Sequence, residues 1–149
     1  MNFGGRFSSH VIAAASGAYY DRIVIITGEG SGMDYRPDSE YDIIFSSGVL
    51  HFLPQTVREE QRDSLKEHTA DAGINAMNVF VQKPFITRAA DSTRDEKKRH
   101  LWRSGELFGY YHDWFFHTCR EEVFDCNSGG TPHKHCMDTL IAQKQKEVL

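Results

Sequence analysis

Four residues of metal-binding type lie close together near the end of the chain. They fall within eleven residues and are two histidines and two cysteines, side chains that ligate zinc in proteins. In a β-strand, however, His133 and His135 share one face while Cys136 points to the other, and the spacing lacks the C-x-x-C pairs of a structural zinc site. A polar edge strand explains the same pattern, so we predict no metal site. The four residues are Cys126, His133, His135 and Cys136.

Further candidates for chemistry are one histidine and a run of ring-bearing residues. His51 could act as a general base, since an unperturbed imidazole titrates near neutrality, although a histidine beside a helix start is the simpler interpretation. Tyr110, Tyr111 and His112 could shape a substrate pocket, but Tyr111 also fits the apolar side of a helix. His51 is therefore the candidate catalytic residue, and the other three are candidate pocket residues.

A glycine-rich turn follows the first run of β-branched residues. The run Ile23-Val24-Ile25-Ile26 is typical of a strand buried on both faces of a parallel sheet, and Thr27-Gly28-Glu29-Gly30-Ser31-Gly32 follows it. Glycines let a backbone turn tightly and approach a ligand closely. Because no helical pattern follows directly, a flexible surface turn remains the simpler interpretation.

Length and composition indicate a single domain, residues 1–149, with 40% hydrophobic and 26% charged residues. The net charge of -4 lacks the basic excess that binding a phosphate backbone needs, so we expect no nucleic-acid partner. We expect neither a membrane span nor a secretory signal, because the apolar stretch at residues 11–15 is short and follows polar residues. The odd count of three cysteines argues against a disulfide framework and favours a cytoplasmic setting.

The middle of the chain has the pattern of a β-α-β unit. A buried-type strand at residues 41–45 stops at Ser46-Ser47-Gly48, and a third strand is predicted at residues 76–81. Between them Pro54 suits a first helical turn, and Gly73 is the predicted end of the helix. Residues 41–81 therefore predict two parallel strands with a right-handed helical crossover.

The last third predicts a polar loop, a short helix and a hairpin. Residues 91–99 mix both signs of charge and predict a surface loop that could act as a lid. Ser104 is the predicted cap of the helix, with Glu106 near its positive end. Strands at residues 114–124 and 135–142 flank Asn127-Ser128-Gly129-Gly130, which favours a hairpin turn. An antiparallel hairpin beside parallel strands makes the predicted sheet mixed.

Residues 41–144 resemble the C-terminal half of class I S-adenosylmethionine-dependent methyltransferases, within them the tellurite-resistance-type branch. Three segments carry the resemblance: the strand and turn of residues 41–53, the helix and strand of residues 67–81, and Ser104-Gly105-Glu106-Leu107 with Tyr110-Tyr111-His112-Asp113-Trp114. The resemblance implies an α/β fold, a partial doubly wound (Rossmann-like) sheet that is mainly parallel and ends in an antiparallel hairpin. It also implies that S-adenosylmethionine is the cofactor and that a small molecule accepts the methyl group.

The resemblance also implies where the cofactor lies. Ligands of open α/β sheets bind outside the carboxyl ends of the strands, which here selects the turn after the second strand and, by resemblance, the glycine-rich turn after the first. Only eight residues separate Gly32 from Tyr41, where the family has a helix, a strand, another helix and another strand. Residues 1–37 are therefore a divergent or truncated segment. The predicted cofactor contacts are Gly28, Gly30, Gly32, Asp34, Ser46, Ser47, Gly48 and Val49.

Two functions follow from this shortened family pattern. The first is transfer of a methyl group to a small acceptor, a displacement that depends mainly on alignment of donor and acceptor and on exclusion of water. The second is a catalytically inactive, truncated domain that acts as an oligomerisation or binding module. A strand without its family neighbour leaves a sheet edge that favours a homodimer.

Overall fold

One five-stranded mixed sheet organises the chain in a computed structural model that describes residues 22–26, 37–86, 100–127 and 130–147. Three strands are parallel, and the last two form an antiparallel hairpin, with the spatial order β1-β2-β3-β5-β4. The mixed α/β sheet expected from the sequence is thereby confirmed. The elements are β1 (Ile23–Ile26), β2 (Tyr41–Ser47), a 3-10 turn (Leu50–Phe52), α1 (Gln55–Glu67), β3 (Thr69–Val81), α2 (Glu106–Tyr110), β4 (Phe115–Cys126) and β5 (His133–Gln143).

The three parallel strands align their carboxyl ends at one edge of the sheet. In the register, Ile26 at the end of β1 pairs with Ser46 on β2, and Ser46 pairs with Met77 on β3. All three predicted strands are present, although β2 runs on to Ser47 and β3 begins at Thr69 rather than at residue 76. The expectation that β1 is buried on both faces is wrong, because it lies at the edge of the described sheet with Ile23 and Ile25 53% and 64% exposed. The chain leaves β2 at the carboxyl edge and enters the 3-10 turn, so residues 46–49 lie where a ligand of an open α/β sheet binds.

Helix α1 ends earlier than the sequence predicts, and Gly73 is not its stop signal. The helix ends at Glu67, and β3 begins at Thr69, whose hydroxyl donates a 2.7 Å hydrogen bond to the Leu65 carbonyl. The Lys144 side chain donates to the Lys66 carbonyl at 3.1 Å, so groups outside the helix satisfy its last turn. Gly73 lies inside β3, where a Cβ would sit 2.7 Å from the Ala70 carbonyl oxygen. Close backbone packing therefore explains this glycine.

Helix α2 is not capped by Ser104. Its N-cap is Gly105, in the left-handed region at φ 79°, and no side chain caps it. The Ser104 hydroxyl donates instead to the Glu121 carboxylate on β4. Glu106 does stand in the first turn, where its carboxylate accepts a 2.8 Å hydrogen bond from the Arg103 backbone N–H. The carboxylate at the positive helix end is therefore as predicted, whereas the capping residue is not.

The hairpin places β5 inside the sheet and β4 at its edge. Strand β5 pairs antiparallel with β3 on one side and with β4 on the other. The β3 pairing stops at Cys136, and residues 133–135 pair with β4 alone among the described strands, so the interpretation of a polar edge fits residues 133–135 and not Cys136. Side chains on β5 alternate as predicted, and Cys136 is buried in the core while His133 and His135 point to the opposite face.

The main core lies between the sheet and the two helices, on what is here called the helix face. Strand residues such as Ile44 and Met77 meet Leu65 from α1 and Leu107 from α2 there. A smaller cluster on the opposite face of the sheet consists of Ile43, Ile74, Ala76 and Ile141. Among the described residues, no helix is long and apolar enough to cross a membrane.

Candidate functional site

The turn after β2 has the backbone geometry of a ligand-binding turn. Gly48 adopts φ +71°, a left-handed conformation that favours glycine, and a Cβ built on it would meet no atom within 4 Å. Val49 beside it is buried in the main core, which anchors the turn. The predicted contacts Ser46, Ser47, Gly48 and Val49 therefore form one continuous segment at the carboxyl edge of the parallel strands.

Asn78 on β3 fixes this turn, although the sequence pattern does not indicate it as a site residue. Its side-chain oxygen accepts a 2.8 Å hydrogen bond from the Gly48 backbone N–H, and its side-chain nitrogen donates to the Ser47 hydroxyl at 2.9 Å. Asn78 is 2% exposed, so both bonds are protected from water. The available signal was an amide inside the apolar run of residues 76–81, because a buried amide needs partners.

Ser46 supplies a buried polar atom at the same edge. It is fully buried, and within the described part of the chain its hydroxyl has no hydrogen-bond partner. Leaving such a group unpaired costs about 1–3 kcal/mol. An unpaired hydroxyl beside an open glycine turn fits a polar ligand such as the ribose or amino-acid part of the expected cofactor.

His51 lies beyond this turn and is packed between other rings. It is 2% exposed and stacks on Phe80 with ring centroids 4.4 Å apart and an interplanar angle of 7°. Its backbone carbonyl accepts a 2.6 Å hydrogen bond from the His100 N–H. This environment favours the packing interpretation of His51, and its role as a general base stays a prediction.

The three candidate pocket residues lie in different environments. Tyr111 is 1% exposed, and its hydroxyl accepts a 3.0 Å hydrogen bond from Asn75 and donates to the Met77 sulfur at 3.4 Å. Burial raises the pKa of Tyr111 far above its ordinary value. Tyr110 is partly buried and donates to Glu106 at 3.0 Å, whereas His112 is exposed. The burial of Tyr111 fits its interpretation as a core residue. That Tyr110, Tyr111 and His112 line one acceptor pocket stays a prediction.

The other predicted cofactor contacts and the predicted lid lie outside the described residues. Gly28, Gly30, Gly32 and Asp34 follow β1 in the sequence, and residues 91–99 hold the charged loop. The last described residue of β1, Ile26, pairs with Ser46 on β2. The roles of these glycines, of Asp34 and of the loop stay predictions.

A carboxyl pair on the helix face, formed by the buried Asp138 and the more exposed Glu121, is a second feature that the sequence pattern did not indicate. Asp138 on β5 is fully buried and accepts a 2.9 Å hydrogen bond from the Gly105 N–H. Burial, and then the hydrogen bond with Glu121, raise the pKa of Asp138 to about 7. The pKa of Glu121 is held well below its ordinary value by Asp138 and by Lys83. Asp138 thus links β5 to Glu121 on β4 and to the backbone at the start of α2.

Comparison with known proteins identifies the fold. No protein-family model and no curated protein matches the sequence. The structure of TehB from Haemophilus influenzae aligns with a TM-score of 0.61 and 23% identity, over 73% of this chain and 37% of that chain. A SAM-dependent methyltransferase from Anabaena variabilis aligns with a TM-score of 0.51 and 11% identity, over 68% of this chain and 49% of that chain.

The N-methyltransferase NodS from Bradyrhizobium japonicum also aligns, with a TM-score of 0.53 and 9% identity, over 98% of this chain and 100% of that chain. A second NodS structure, in complex with S-adenosyl-l-homocysteine, aligns with a TM-score of 0.51. The chain therefore has a methyltransferase-like fold, which confirms the predicted fold. It spans just over a third of the TehB chain.

Proposed function

We propose that this chain is an S-adenosylmethionine-dependent methyltransferase that transfers a methyl group to a small acceptor molecule. The observation that carries the proposal is the turn of residues 46–49, which stands at the carboxyl edge of the parallel strands and is held there by Asn78. In open α/β sheets this edge is where ligands bind. The fold shared with TehB and NodS supports the same assignment.

The residues at this edge are suited to hold S-adenosylmethionine. Gly48 lets the ligand approach the backbone closely, and the Ser46 hydroxyl is available for a hydrogen bond. The bound cofactor supplies a methyl group that is already activated on a sulfonium sulfur. NodS, which shares the fold, has been solved with S-adenosyl-l-homocysteine, the demethylated form of this cofactor.

The chain's own contribution to methyl transfer would be alignment and exclusion of water. Phe80, His51 and Phe52 form a ring cluster next to the turn, with centroids 4.4 and 4.5 Å from that of His51. A wall of packed rings orients a small acceptor and removes water from the reacting atoms. No strong acid or base is required of this wall, which agrees with the burial of His51. We place this activity in the cytoplasm, where thiols stay reduced, because Cys119, Cys126 and Cys136 are free.

A calorimetric titration of the full chain with S-adenosylmethionine tests the proposal. We expect saturable binding in the micromolar range, and no heat at high protein concentration would refute it. Gly48→Val should weaken binding at least about tenfold, because a β-branched residue is strained at positive φ and covers the open turn.

Gly130→Val is the matched control for this titration. Gly130 has φ +81° and equally open surroundings, but it lies at the hairpin end of the sheet. The strain from valine is therefore similar at both positions. Equal loss of cofactor binding in the two variants would show that the effect comes from stability rather than from the turn.

A second candidate function is an inactive domain that pairs with another copy through β1. This strand is at the edge of the described sheet, and Ile23 and Ile25 are 53% and 64% exposed. An exposed apolar edge strand is a template for pairing between chains. Sedimentation tests this candidate: we expect a dimer in the wild type and a monomer in Ile25→Lys, and a monomeric wild type would contradict it.

A further inference from the structure

The hairpin brings together three metal-binding side chains that are separated along the sequence. Cys126 on β4 and His133 on β5 are directly opposite each other in the antiparallel register. His135 lies two residues further along β5, on the same face. One ligand atom from each of the three residues lies within 4.8 Å of the others, and the Nε2 atoms of the two histidines are 2.9 Å apart.

The ring of His133 is oriented for metal binding by its other nitrogen. Its Nδ1 lies 2.7 Å from the Thr131 carbonyl oxygen, and because a carbonyl oxygen only accepts, Nδ1 carries the proton. In the neutral ring this leaves a lone pair on Nε2, the atom that faces His135. A backbone carbonyl behind the ring is the usual way in which proteins orient a metal-binding histidine.

The ring of His135 is held by aromatic packing. It stacks on Phe80 with centroids 4.6 Å apart and an interplanar angle of 15°, and Phe124 packs at 5.8 Å. Phe80 in turn stacks on His51, so three rings form a continuous stack from the hairpin to the turn after β2. This packing limits the rotation of His135 and reduces the entropy that metal binding would cost.

We propose that Cys126, His133 and His135 form a zinc-binding site. Thiolate sulfur and imidazole nitrogen are the ligands that Zn²⁺ prefers. In a tetrahedral site with Zn–N bonds of about 2.0–2.1 Å, two histidine nitrogens are about 3.3 Å apart. The observed 2.9 Å separation therefore needs only a small opening of the two rings.

Two of the three proposed ligands, Cys126 and His133, line an open pocket of about 410 Å³ at the hairpin end. Asp125 forms an ion pair with Lys134, and Cys136 lies on the helix face, so neither is a fourth ligand. Three protein ligands with an open position are typical of zinc sites that bind water or an exchangeable small ligand.

Substitution of Co²⁺ for zinc tests the proposal on the full chain. We expect saturable binding of one Co²⁺ with a thiolate-to-cobalt charge-transfer band, and displacement of the band by one equivalent of Zn²⁺. Absence of saturable binding, or binding without the thiolate band, would overturn the site. This result depends on no variant, so it stands even where a substitution impairs folding.

Variants then identify the ligands. Cys126→Ser should abolish the charge-transfer band and weaken Zn²⁺ binding at least about tenfold, and His135→Gln should weaken it similarly while the band persists in altered form. Cys119→Ser is the matched control, since Cys119 is exposed on the same strand and lies outside the cluster. Loss of the band in Cys119→Ser, or its persistence in Cys126→Ser, would contradict the assignment.

Discussion

The parallel and antiparallel halves of the sheet carry different polar chemistry. In the parallel half, the buried polar residues of β2 and β3 are neutral amides and hydroxyls, such as Asn75, Asn78 and Ser46. In the hairpin half, both faces carry ionisable groups. The helix face has the Glu121–Asp138 pair, and the opposite face has the cluster around His135.

The two halves of the sheet are therefore suited to different ligands. Neutral buried groups fix the backbone of the turn after β2, which suits a cofactor recognised by close approach and directed hydrogen bonds. The hairpin has a carboxyl pair with shifted pKa values and a cluster of side chains of metal-binding type, so pH and, under the proposal, metal concentration affect it. Strand β3 joins the two halves, because it pairs with β2 on one side and with β5 on the other.

The largest effect is expected at Gly73, near the start of the strand that joins the halves. In Gly73→Ala the new Cβ would lie 2.7 Å from the Ala70 carbonyl oxygen and 3.0 Å from the Asp42 carbonyl oxygen. Because both are backbone atoms, we expect a loss of about 3 kcal/mol in the free energy of unfolding. Gly109→Ala is the control, since its Cβ meets no atom within 4 Å and an alanine favours helix α2. Urea unfolding measures both, and equal effects would contradict the packing role of Gly73.

An intermediate effect is expected at Asp138 and depends on pH. Its pKa in the folded chain is about 7, above the ordinary 3.8, so the folded state retains a proton that the unfolded state has lost. The stability that this retained proton gives the folded state is fully present below pH 3.8 and is lost as the pH rises towards 7. In Asp138→Asn the amide donates a hydrogen bond to Glu121 at every pH. The variant therefore does not lose this stability as the pH rises.

Urea unfolding at several pH values measures this effect. We expect Asp138→Asn to match the wild type near pH 4 and to exceed it at pH 8 by on the order of 2 kcal/mol. The pKa of Glu121 is lowered in the folded chain, so its carboxylate adds stability at higher pH that is lost only in stronger acid. We expect the wild type and Asp138→Asn to share this contribution. If the free energies of unfolding of the wild type and of Asp138→Asn changed in parallel with pH, Asp138 would be ionised in the folded chain.

The smallest effect is expected at the hydroxyl of Tyr111, in the helix-face core. Tyr111→Phe removes the acceptor of the Asn75 amide and should cost about 1 kcal/mol. His112→Ala, at the neighbouring exposed position, should change stability by less than about 0.5 kcal/mol. Thermal unfolding compares the two. A neutral Tyr111→Phe would weaken the core assignment and favour the alternative of a substrate pocket.

The sequence predicts the strands better than the contacts between them. A continuous β-branched run identifies β1, an apolar run that stops at Ser46-Ser47-Gly48 identifies β2, and the Asn-Ser-Gly-Gly turn identifies the hairpin, because these signals are local. The end of α1 was misplaced because Thr69 and Lys144 satisfy its last carbonyls, and Lys144 is far away in sequence. Ser104 has capping chemistry, but its hydroxyl is bound by Glu121 on β4.

The candidate sites show the same limit. The segment of residues 46–49 was found because it follows a strand directly, whereas Asn78, which holds it, is on another strand. Cys126 and His133 are direct partners only in the β4–β5 register, which spacing along the chain does not reveal. Residues that act within one segment are therefore predictable, and residues that act across strands require the fold.

The measurement that tests the central claim most directly is cofactor affinity in a matched pair of β3 variants. Asn78→Ala removes the hydrogen bonds to the turn, and Asn75→Ala removes a buried amide that bonds Tyr111 instead. By calorimetry below both unfolding temperatures, we predict that Asn78→Ala binds S-adenosylmethionine at least about tenfold more weakly than the wild type, while Asn75→Ala binds like the wild type. Equal affinity in Asn78→Ala and wild type, or no binding by either, would contradict the account.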